Sequence, residues 1–88
     1  MPAPTTNDAE TLALSALAAT LSDERRAQRF LDLSGIDTDE LRRRADERDL
    51  LAGLMRFLEA HEPDLVDVAE QIGVDPQALV AARMELER

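Results

Sequence analysis

Leu50-Leu51-Ala52-Gly53-Leu54-Met55-Arg56-Phe57-Leu58-Glu59-Ala60 is the stretch that decides the fold. Counted from Leu50, its large apolar side chains fall at i, i+1, i+4, i+5, i+7 and i+8. On a 3.6-residue repeat these positions cover about half of a helical cylinder or more, so the helix needs neighbours on several sides. It is therefore expected to be the central rod of a helical bundle, with Leu54 and Phe57 facing inward. Gly53 interrupts the pattern at a cost of about 1 kcal/mol relative to alanine. The compensation expected there is the close approach of a second helix backbone.

Before the rod, Met1 to Thr6, with two prolines and two threonines, read as a disordered tail, leaving 7–88 as a single helical domain. Asn7 and Glu10 have capping-box spacing and should open a first, alanine-rich helix that runs to about Leu21. Ser22 is the expected cap of a second helix, with Asp23 and Glu24 in its first turn and Gly35 at its end. Ile36 should pack back on that end. A short third helix begins at Asp37 or Thr38, with Asp37 and Glu40 at capping-box spacing; it holds few apolar residues and should be the least stable element. Asp49 is the expected cap of the rod, which Pro63 ends near His61.

After the rod, Pro63 suits the first turn of a fifth helix closed by Gly73, and Asp75-Pro76 opens a sixth that carries Leu79, Ala82 and Leu86. No strand-like alternation competes anywhere along the chain. The expected fold is all-α: a compact bundle of five or six short helices around a central apolar helix, joined by turns of two to four residues.

Composition narrows the function classes. Eighty-eight residues form one domain that buries roughly 60–65% of its extended surface, too little for a separate catalytic domain. Without cysteine there is no disulfide and no thiolate metal site; with no basic or apolar leader, a reducing cytoplasm is the expected setting. No apolar run approaches the ~20 residues of a membrane span. The net charge of -9, from nineteen acids and ten basic residues, opposes phosphate backbones and anionic membranes. Every basic residue is arginine, a bias that matches a GC-rich bacterial genome. Phe30 and Phe57 are the only aromatic residues, too few for a base-stacking platform.

Three segments taken together resemble a known family: Ala9-Glu10-Thr11-Leu12-Ala13-Leu14-Ser15-Ala16-Leu17, Arg29-Phe30-Leu31-Asp32-Leu33-Ser34-Gly35-Ile36-Asp37, and Leu50 through Gly73-Val74-Asp75-Pro76 to Ala81-Ala82-Arg83. Their order and spacing look like the small alphaproteobacterial family termed domain of unknown function 3572. That resemblance implies a cytoplasmic bacterial helical protein without an assigned activity, and it carries over no functional residue.

Among possible sites, Val68-Ala69, Ile72-Gly73-Val74 and Leu79 have helix-turn-helix spacing, which makes residues 64–86 a candidate nucleic-acid reader. From Glu59 to Arg88, however, eight acids face two arginines, and Gln77 is the one base-reading side chain in the expected groove-facing set. Arg42, Arg43, Arg44 and Arg48 are candidate docking residues for an acidic partner. The plainer alternative is a solvated face laced with pairs such as Asp39 and Arg43.

His61, the one histidine, lacks companions for a zinc site and suits a helix terminus. Asp37-Thr38-Asp39-Glu40 lacks calcium-loop spacing and suits capping. Ser34 has no histidine nearby in sequence and should cap the second helix. No metal, cofactor or catalytic set is expected. The leading reading is a small acidic, non-enzymatic protein–protein interaction module with an unknown partner, as monomer or homodimer; the alternative is a nucleic-acid-binding regulator.

Overall fold

The structure, a computed structural model, describes residues 5–88. The described chain forms six helices: α1 (Thr5–Leu21), α2 (Glu24–Ser34), α3 (Thr38–Arg44), α4 (Arg48–Glu59), α5 (Glu62–Ile72) and α6 (Pro76–Leu86). Turns of two or three residues join them, and the molecule measures 38 × 26 × 20 Å. The tail expected over residues 1–6 lies mostly outside the described residues. Because α1 begins at Thr5, Asn7 falls within the helix and not at its cap.

Capping chemistry sets most of the boundaries. Asp23, one residue beyond the expected Ser22, caps α2 by accepting from the Arg26 N–H at 3.1 Å. Ser22 instead donates to the Ala19 carbonyl at 2.7 Å and finishes α1. Asp37 caps α3 through the Glu40 N–H at 2.8 Å. Gly35 and Gly73 close α2 and α5 at φ 76° and 79°, the left-handed conformation in which a side chain would be strained. Asp75 and Pro76 occupy the N-cap and first position of α6. Glu47, not Asp49, stands at the N-cap of α4, and Asp49 lies in the first turn, where the helix dipole favours its charge.

The core has two organising helices where the sequence suggested one. α4 buries Leu50, Leu51, Ala52, Leu54, Met55 and Leu58. α1 buries Ala9, Ala13, Ala16, Leu17 and Ala19. Each packs against α5, α6 and the other, and the α1–α6 seam is the most extensive. Alanine on α1 keeps the helix surface low, so neighbouring backbones can approach while Leu51, Leu54, Met55, Leu58 and Leu79 fill the space between. Thr20, fully buried, hands its hydroxyl back to the Ala16 carbonyl at 2.8 Å, and so no polar atom is stranded there.

Two expectations about the rod change. Phe57 is only half-buried, and the Gly53 position faces open space: no atom outside its own surroundings lies within 4 Å of where a Cβ would stand. Asp49, Gly53, Phe57 and Ala60 fall at i, i+4, i+8 and i+11, on the side of α4 that is not turned to α1, α5 and α6.

Candidate functional site

That uncovered side of α4 forms the floor of a groove of about 750 Å³. Leu50, Gly53 and Phe57 lie along the floor, and Phe30 and Leu33 of α2 form a wall. Ile36 and Ser34, from the end of α2 and the turn beyond, close part of the margin. α2 is covered on one side only. Its buried residues are Phe30 and Arg26, while Leu33 remains 78% exposed at the groove edge. Phe30 meets Phe57 edge to face, with centroids 5.3 Å apart and planes at 63°, so the two aromatic rings are the apolar clasp between α2 and α4.

The rim is cationic. Arg29, Arg44 and Arg56 border the groove, with Asp49 as its single carboxylate and His61 beyond the end of α4. The Arg29 guanidinium stands 5.5 Å from the Phe57 ring centre, a cation–π arrangement. Arg29 also donates to Asp64, and Arg56 pairs with Glu87. Arg44 binds Glu47 at 2.8 Å and Glu40 at 3.1 Å, and these bonds, Glu47 first, raise its pKa above the ordinary value. Even so, these side chains keep 45%, 34% and 68% of their surface for Arg29, Arg44 and Arg56, so guanidinium N–H groups remain open to solvent.

Behind the wall, α2 is fastened to α5 by buried charge. Arg26 Nε donates to Asp64 Oδ1 at 2.9 Å and Nη2 donates to Asp67 Oδ2 at 3.2 Å. Arg26 and Asp64 are 8% and 5% exposed, so each charge depends on the other for solvation. Sequence inspection passed over this cluster. Its trace is a pair of complementary doublets at i, i+3 spacing, Arg26/Arg29 and Asp64/Asp67, which become legible only when α2 and α5 are known to be neighbours.

Residues 6–88 match the family described as Protein of unknown function (DUF3572). The chain belongs to this family. No curated protein and no solved structure matches the chain. Membership of DUF3572 brings no assigned chemistry, and the geometry of the chain's own residues is what locates a site.

The four arginines singled out in the sequence separate. Arg42 and Arg43 are exposed on α3, Arg42 lying 4.0 Å from Asp39. Arg44 turns to the groove rim. Arg48 donates to Glu10 at 3.1 Å and to the Glu85 carbonyl at 2.9 Å, bracing α4 against α1 and α6. They do not form one patch.

Ser34 donates to the Leu31 carbonyl at 3.3 Å, as a capping hydroxyl does. His61 is exposed and occupies the N-cap of α5, directly after the C-cap of α4. Asp49 stands in the first turn of α4 and His61 beyond its C-cap, with nearly the whole helix between them, too far to share a proton. Among the described residues, no group of three or more His, Cys, Asp or Glu side chains is placed to hold a metal ion, and no helix is long and apolar enough to cross a membrane.

Elsewhere, Arg83 Nε and Nη2 grip both oxygens of Glu59, at 2.6 and 3.2 Å, and Nη1 reaches Glu87 at 2.9 Å. Those bonds raise the Arg83 pKa, the Glu59 contacts contributing most. Glu87 responds in the opposite sense. Partial burial acts to raise it, and hydrogen bonds from Arg83 and then Arg56 outweigh that and hold it below the ordinary value.

Proposed function

We propose that the protein is a non-enzymatic interaction module that receives a segment of a partner protein in the groove between α2 and α4. One observation carries this reading: an apolar trough, floored by Leu50, Gly53 and Phe57, lies open on an otherwise well-packed bundle, with Leu33 78% exposed beside it. Its ionisable residues are arginines, one aspartate and a distant histidine, a set suited to recognition and poorly suited to acid–base work. A bacterial cytoplasm, which the family resemblance implies, is part of the same proposal.

Nucleic-acid reading by residues 64–86 has less support. Leu79, Ala82 and Leu86 of α6 are buried in the core and Arg83 is occupied by Glu59. The exposed residues of the helix include Gln77, Ala81 and Met84, which supply no cation for phosphate.

The test is site-specific photo-cross-linking in cells. A cross-linking side chain at Leu33 should capture a discrete protein, and Gly53→Leu, which fills the floor, should abolish that capture without lowering the melting temperature. Capture that survives the filled groove, or that occurs equally from Gln77 on α6, would overturn the proposal.

A further inference from the structure

We infer that the occupant of the groove is a short amphipathic helix whose carboxylates lie over the Phe57 end. This deepens the preceding reading and rests on it. Shape sets the backbone class. The α4 floor runs from Asp49 to Ala60, roughly 16–17 Å at 1.5 Å per residue, a length matched by a helix of about three turns. The described residues contain no strand, so there is no sheet edge on which an extended peptide could add. A helix that presents apolar residues at i, i+3 or i+4, and i+7 sets one ridge into such a trough, and the missing side chain of Gly53 lets that ridge approach the α4 backbone.

Charge sets the chemistry of the flanks. The groove border carries three arginines and one aspartate on a chain of net charge -9, and the carboxylates that pair with these arginines are not part of its lining, so the groove itself presents mainly cations. The cations are unevenly placed. Arg29 stands over the Phe57 ring, and Arg56, one position before Phe57 on α4, borders the same groove, so both guanidinium groups belong to the aromatic end. Arg29 spends its Nη2 on Asp64 and Arg56 its Nη2 on Glu87, and with five N–H donors on each guanidinium both can accept a further carboxylate. A carboxylate there replaces water at a site already bordered by apolar surface, where an ion pair gains more than it does in bulk solvent.

The global charge opposes this local preference and decides how it has to be measured. At low ionic strength the net charge of -9 attracts any basic peptide whatever the groove prefers. At about 0.15 M salt the screening length is about 8 Å, and only groups near the contact still discriminate.

The probes are three helix-stapled peptides of about eleven residues with identical leucine anchors. Their flanking residues at one end are Glu, Gln or Lys. Fluorescence anisotropy with the whole protein at 0.15 M salt should show the Glu peptide binding about tenfold more tightly than the Lys peptide, with Gln between them. Arg56→Gln should cost the Glu peptide about three- to fivefold and leave the Gln peptide unchanged. Gly53→Leu should abolish binding of all three.

Equal affinities, a preference for Lys, or no binding by any peptide would overturn the acidic-helix assignment. A partner still cross-linked through Leu33 and lost with Gly53→Leu would then show that the groove reading survives. Two further results would overturn the assignment in favour of another occupant: displacement of the Glu peptide by phosphatidylglycerol-containing vesicles, or a concentration-dependent dimer that Gly53→Leu dissolves.

Discussion

The two flanks of α4 are built on different principles. Toward α1, α5 and α6, it presents Leu51, Leu54, Met55 and Leu58, all fully buried among alanines and leucines. On its other flank it presents Asp49, Gly53, Arg56 and Phe57, and α2 is held there by one aromatic contact to α4 and by ion pairs to α5. α3 buries only Leu41. The first flank maximises the apolar area removed from water, which stabilises but leaves nothing to bind. The second gives up area and retains a groove. In so small a bundle, binding surface and core compete for the same few apolar residues.

Substitutions on the two flanks should separate these roles. Leu54→Ala, in the closed flank, should cost about 2–5 kcal/mol, a large part of a stability of order 5–15 kcal/mol, as measured by urea unfolding. Asp64→Ala should cost about 3 kcal/mol, because Arg26 stays 8% exposed with its main partner gone. The double change Arg26→Met with Asp64→Leu should recover most of that loss, which would show that the pair holds the arrangement more than it adds stability. Phe57→Ala should cost less, about 1–2 kcal/mol, since the ring is only partly buried and borders the open groove. A loss as large as that of Leu54→Ala would mean that the two flanks are equivalent after all.

Gly53→Ala should have the opposite sign and raise stability by about 0.5–1 kcal/mol, because the new methyl group meets no neighbour. The smallest effect concerns pH. Asp23 is held below its ordinary 3.8, chiefly by the Arg26 backbone N–H, and Glu87 below 4.5 by Arg83 and Arg56, against the effect of partial burial. A carboxylate whose folded pKa is lowered stabilises above its ordinary value and loses that contribution as pH falls through the folded one. The melting temperature of Glu87→Gln should therefore differ from that of the parent at pH 7 and converge on it below pH 4.5.

The sequence disclosed what local chemistry controls. Asp37, Gly35, Gly73 and Asp75-Pro76 mark their boundaries because each satisfies or removes an orphaned backbone group without reference to the rest of the molecule. The apolar face of α4 was legible for the same reason. Its open face was not, since Phe57 counts as apolar in any periodicity and only the placement of α2 decides how much of the ring is covered. Gly53 posed the same ambiguity: a glycine inside a helix signals close contact or empty space, and here it is space. In retrospect the signal was Gly53-x-x-x-Phe57-x-x-Ala60, two small residues around an aromatic one on a single side. The Arg26–Asp64 cluster was hidden because its partners are 38 positions apart.

Arg29 answers to two neighbours at once, Asp64 in the seam beneath and Phe57 at the mouth above. A carboxylate arriving at the mouth draws on the same guanidinium that helps hold α2 against α5. Whatever docks there changes the tension on a hidden fastening, and news of its arrival can reach the far helix through the movement of one side chain.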